Sequence, residues 1–167
     1  AILARILSPS SFGVFGIASI VLELLEVLTE TGVNIFLVQE KGDVDEFVST
    51  SWVVSILRGI IVSTLIIVSA PFIAEFFKSS SALSLIYLIG LVPFIRGFIN
   101  PSVVKFQKEL AFKKEFLFNS SIFLVEALVA VSLSIIMKSP IALIWGMIAS
   151  ALFEVILSFI AVSPRPK

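Results

Sequence analysis

The sequence predicts an all-α integral membrane protein, a polytopic helix bundle, on three observations. Of its 167 residues, 58% are hydrophobic and 14% charged, with a mean hydropathy of +1.13; soluble domains run about 45 to 50% apolar and about 25% charged. The apolar residues form runs of the length a helix needs to cross a bilayer, about 20 residues for a hydrocarbon core of about 30 Å. Acidic and basic side chains lie inside those runs, on shared helix faces, so the runs have an inside as well as a lipid side.

Residues 1–7, AILARIL, read as the last turns of a helix whose beginning is missing, and the sequence is expected to be part of a longer protein. Ser8 and Pro9 make a turn, with Ser10 or Ser11 as the cap of a second span over 12–38. That span carries Glu23, Glu26 and Glu30 at i, i+3 and i+7, which confines them to one narrow face. QEKGDVDE follows as a polar loop, and a third span over 47–77 sets Ser51, Ser55, Arg58, Val62 and Ser69 on one face. The fourth, over 82–104, contains Pro93, Arg96, Gly97, Asn100 and Pro101. Two prolines and a glycine so close together should kink it and free backbone carbonyls, which must then be met by protein or cavity water. KFQKELAFKKE is the most basic segment. A fifth span over 116–137 holds Asn119 and Glu126 on one face, and a sixth over 141–162 lines up Met147, Ser150, Glu154 and Ser158 before the chain closes in SPRPK.

Formal net charge is zero, so no basic field points to nucleic acid as a partner. Neither cysteine nor histidine is present, which removes disulfides, thiolate nucleophiles, imidazole bases and cysteine zinc sites; no cofactor or metal is expected. Alternating the spans puts Lys41, Lys105, Lys108, Lys113, Lys114, Arg165 and Lys167 on one side and Arg5, Lys78 and Lys138 on the other. The richer side is the cytoplasmic one by the positive-inside rule, giving a multi-pass protein of the cytoplasmic membrane.

A charge at mid-membrane costs about 2.5 to 3.5 kcal/mol on insertion scales, so Glu23, Glu26, Glu30, Arg58, Arg96, Glu126 and Glu154 would together cost on the order of 20 kcal/mol facing lipid. They must share a polar interior, and Glu26, Glu30, Arg58 and Arg96 fall at compatible depths for pairing between the second, third and fourth spans. The plain reading is that such pairs pin helices together. Five glutamates cannot all be paired by two arginines, however, so some are hydrated or protonated. Glu23, Glu26, Glu30, Glu126 and Glu154 are therefore candidates for lining a cavity or coupling to an ion.

The stretch ILARILSPSSFGVFGIASIVLELLEVLTETGVNIFLVQE resembles the opening of polysaccharide exporters and O-antigen flippases of the multidrug/oligosaccharidyl-lipid/polysaccharide superfamily. The likeness rests on Leu3-Ala4-Arg5, Ser8-Pro9, Phe12-Gly13, Glu30 with Gly32, and Gln39-Glu40, then on Phe106, Gln107, Leu110, Phe112 and Lys113, and on the closing Pro-Arg-Pro. It implies the N-terminal six-helix lobe, with its first helix truncated, of a transporter of 12 to 14 helices whose C-terminal lobe would be the partner of this one. It implies also that a polyprenyl-pyrophosphate-linked oligosaccharide is carried across the membrane by alternating access, without enzymatic chemistry. Arg58 and Arg96, with Asn100, would be the substrate-binding residues. Two other readings stay open: a multidrug exporter of the same superfamily, which the excess of glutamate suits, and a membrane-embedded sugar polymerase or ligase.

Overall fold

The computed structural model describes residues 7–29, 32–39, 44–163 and 166. Its helices are α1 (Pro9–Leu28), α2 (Val33–Gln39), α3 (Val48–Phe76), α4 (Ser80–Ile89), α5 (Leu91–Arg96), α6 (Lys105–Lys108), α7 (Phe112–Met137) and α8 (Ile141–Ala161), with 3-10 turns at Val44–Glu46 and Pro101–Val104. Four of them, α1, α3, α7 and α8, are long and apolar enough to cross a membrane, and the bent series Ser80–Arg96 plus Pro101–Lys108 makes a fifth. The chain is a multi-pass membrane helix bundle. The helix expected over 1–7 lies outside the described residues except for Leu7, which packs with Ala130 and Leu143.

α1 begins one turn earlier than the sequence suggests. Ser8, not Ser10 or Ser11, is the cap: its Oγ accepts from Ser11 N at 3.2 Å, and Pro9 occupies the first helical position, where a missing N–H costs nothing. The run over 12–38 is also not one helix. It stops at Leu28, where the Thr29 hydroxyl turns back to the Leu25 carbonyl at 2.5 Å, and Gly32, directly before the next helix, adopts φ +67°, a left-handed conformation that no α-helix continues through. α2 follows as a separate short helix.

The fourth span bends where its prolines and glycine fall, by 76° between Ser80–Arg96 and Pro101–Lys108. The backbone groups freed at the bend are met by neighbouring helices. Trp52 Nε1 on α3 donates to the Phe98 carbonyl at 3.1 Å, and Asn100 N donates to Ser158 Oγ on α8 at 3.0 Å. α7 and α8 form the closest pair, with Gly146 on α8 against Ala130 on α7 and Ser150 on α8 bonded to Glu126 on α7. A Cβ at Gly146 would stand 2.8 Å from Ala130 Cβ and 3.0 Å from the Glu126 carbonyl.

The bundle divides along its length. Toward one end an apolar core joins Leu22, Ile66, Ile86, Ile89 and Ile144, all nearly or fully inaccessible. At the other end three loops expected on one side do meet: Lys105 Nζ lies 2.6 Å from Asp45 Oδ1 and donates to the Ser163 carbonyl at 2.9 Å. Phe72, Phe123 and Ile160 are among many large apolar side chains left on the outside, as lipid contact requires.

Candidate functional site

Two arginines in this chain are each followed by glycine, Arg58-Gly59 on α3 and Arg96-Gly97 at the end of α5. Those glycines are where the two helices touch. A Cβ on Gly59 would meet the Pro93 carbonyl at 2.6 Å and Gly97 Cα at 3.2 Å, and one on Gly97 would meet the Ser55 carbonyl at 3.1 Å. With no side chain at the crossing the backbones close up, and the preceding arginines are delivered into one cavity.

That cavity has a volume of about 290 Å³ and is lined by Glu26 of α1, Ser55, Arg58 and Val62 of α3, Pro93 and Arg96 of α5, Glu154 of α8, and residues of the bend such as Ile99 and Pro101. Arg58 stands ten residues into α3, about 15 Å from its start at 1.5 Å per residue. The cavity thus occupies the half of the bundle nearer Lys105, and the apolar core closes the other half.

The two guanidiniums are held differently. Arg58 donates from Nε to the Thr29 carbonyl at 2.9 Å and from Nη2 to the Glu26 carbonyl at 2.6 Å. These carbonyls belong to the last turn of α1 and to its cap residue Thr29, whose hydroxyl also lies 3.5 Å from the Glu26 carbonyl, so Arg58 caps the end of α1 across the bundle. Two of its five N–H donors are used in this way. Arg96 instead faces carboxylates: Nη1 is 3.6 Å from Glu26 Oε1 and Nε is 3.6 Å from Glu154 Oε2, with the three side chains between a fifth and a third exposed. Formally the cavity is neutral, two acids against two guanidiniums.

The remaining candidates are placed elsewhere. Glu23 lies one turn from Glu26 but on the exposed side of α1, and Glu30 lies outside the described residues. Glu126 sits in the α7 and α8 interface, where its Oε2 accepts from Ser150 Oγ at 3.1 Å. Asn100 is fully buried behind the cavity wall, and its Oδ1 accepts from Ser102 N at 3.0 Å, capping the turn after the bend. A smaller cavity of about 160 Å³, between the bend and α7, is lined by Gln107, Glu115, Phe118 and Asn119 and shares Val103 and Glu154 with the first. Among the described residues no group of three or more acidic side chains converges as a metal site. The sequence pattern singles out neither Gly59 nor Trp52; the repeated Arg-Gly pair is the available signal for the first.

A family described as polysaccharide biosynthesis protein matches residues 2–167. The chain is also 29% identical, over 95% of its length, to a Klebsiella pneumoniae protein described as an uncharacterized membrane protein in cps region. It spans about one third of that relative's length, 33%. No solved structure matches it.

Proposed function

The chain belongs to the polysaccharide biosynthesis protein family, and from that premise we propose that it forms the N-terminal lobe of a transporter for a lipid-linked glycan. The substrate is a polyprenyl-pyrophosphate-linked oligosaccharide, carried across the cytoplasmic membrane by alternating access without chemical change. The partner lobe comes from the rest of a longer protein, a reading supported by the relative being about three times the length matched here.

The observation that carries this reading is the pairing of Arg58 and Arg96 in one cavity within a bundle whose exterior is apolar. Guanidinium recognises phosphate oxygens with a planar pair of donors, and a cavity within the span replaces the hydration such a charge would lose. Ligand sites for whole small molecules run from about 300 to 1,000 Å³. About 290 Å³ therefore suits the diphosphate linkage and not several sugar rings, which would extend toward the Lys105 end while the polyprenyl chain stays in lipid. Lys105, Lys108, Lys113 and Lys114 on that end support its facing the cytoplasm. The cavity's neutrality lends less support to a lipophilic-cation cargo, since both lining carboxylates face Arg96.

The test is export of the lipid-linked glycan by cells whose intact protein carries Arg58→Ala or Arg96→Ala. Each variant is expected to reach the membrane and to lose export. Normal export by both would refute the reading.

A further inference from the structure

Arg96 ends α5, and the carboxylates facing it come from two other helices, Glu26 on α1 and Glu154 on α8, each at 3.6 Å. Those separations are long for charge-assisted hydrogen bonds, which close to about 2.7 to 2.9 Å. Arg96 Nε has no hydrogen-bond partner at all among the described residues. Side-chain exposures of 33% for Arg96, 30% for Glu26 and 21% for Glu154 leave the cluster open to the cavity, where water weakens the attraction. Arg58 is bound in the opposite way, by short bonds to two carbonyls. Of the two guanidiniums, Arg96 is the one whose partners an incoming anion can replace.

We infer that Glu26 and Glu154 act as an internal competitor for the anion site on Arg96, a clasp that a phosphate-bearing lipid must displace to bind and that re-forms to expel it. This rests on the transport reading above and specifies how its site is regulated. Phosphate offers Arg96 two oxygens in fork geometry at hydrogen-bonding distance, where the two carboxylates offer attraction from further off. The exchange is purely ionic, with no bond made or broken. Because Glu26, Arg96 and Glu154 stand on α1, α5 and α8, displacing the clasp also unties α1 and α8 from α5 at this level. Occupancy of the site is thereby coupled to how these helices sit against one another. The clasp has a consequence that a supporting role would not have: taking away a carboxylate strengthens anion binding and impairs release.

The experiment uses the full-length protein in detergent, titrated with a short-chain polyprenyl diphosphate, and the same protein in liposomes for transport of that probe. Glu26→Gln and Glu154→Gln are each expected to bind about five- to tenfold tighter than wild type, the size of an ordinary coupling between sites, and to turn over more slowly. Glu126→Gln, outside the cluster, is expected to bind as wild type does. Should a glutamine variant fail to fold, Glu26→Asp and Glu154→Asp shorten the side chain, draw the carboxylate back from Arg96 and are expected to tighten binding in the same direction. Wild-type binding with unchanged or weaker binding in the clasp variants would overturn the clasp and leave the transport reading standing. Failure of the wild type to bind the diphosphate at all, with a lipophilic cation bound instead, would overturn both.

Discussion

Arg58 and Arg96 share a cavity and a residue type, yet their surroundings assign them different work. Arg58 donates to two carbonyls at the end of α1 at 2.6 and 2.9 Å, so Arg58→Gln removes two charge-assisted bonds that tie α1 to α3. It is expected to lower stability by about 1.5 to 3 kcal/mol, the range for hydrogen bonds to charged groups. Arg96→Gln breaks only long, partly exposed pairs and is expected to change stability by about 1 kcal/mol or less. Thermal midpoints of the two variants in detergent, measured on the intact protein, decide the point; equal shifts would contradict the division. The serine facing Glu126 is a third case. Ser150→Ala removes its hydrogen bond to Glu126 and is expected to cost about 0.6 kcal/mol, the average for interhelical hydrogen bonds in membranes.

At the scale of helices, the site depends on the contact of α3 with α5 and on the bend after Arg96. Gly59→Ala and Gly97→Ala push a methyl group into backbone at 2.6 and 3.1 Å and are expected to destabilise by about 1 to 3 kcal/mol through overpacking. Gly13→Ala is the control. It meets nothing within 4 Å and is expected to hold or raise stability, since alanine is the better helix former by about 1 kcal/mol. A thermal melt of the three variants checks the ordering. The existence of the spans could be read from apolar run length alone, and the bend from Pro93, Gly97 and Pro101. The break after Leu28 could not: a 27-residue apolar run reads as continuous, whereas the Thr29 hydroxyl bond at the end of α1 and the left-handed backbone of Gly32 before α2 are local features that hydropathy does not register. That Trp52 would donate to the Phe98 carbonyl and Ser158 accept from the Asn100 N–H was equally hidden, because those bonds join residues 46 and 58 positions apart.

For the molecule as a whole, acids and guanidiniums buried in membrane-crossing helices need a polar interior. Of the seven charged residues that this requirement groups, Glu26, Arg58, Arg96 and Glu154 line one cavity. Shared helical face is a weaker guide than depth and neighbours, which is why Glu23 lies on an exposed face, one turn from Glu26. Packing also sorts residues that spacing treats alike: Glu126 is drawn into the small-residue seam of α7 and α8, and Asn100 into the backbone of the bend. What results is a bundle with an apolar seal at one end and a charged, formally neutral cavity at the other. Water access distinguishes that arrangement from a uniformly packed bundle. This stretch contains no cysteine, so single cysteines can be placed at Ser55, which lines the cavity, and at Ala70, which is fully buried in the apolar half. With the intact protein in oriented membrane vesicles, Ser55→Cys is expected to react with a membrane-impermeant thiol reagent applied from the side that carries Lys105, while Ala70→Cys stays unreactive from both sides. A cysteine at 55 that reacts from neither side would contradict the wetted cavity on which the proposed transport depends.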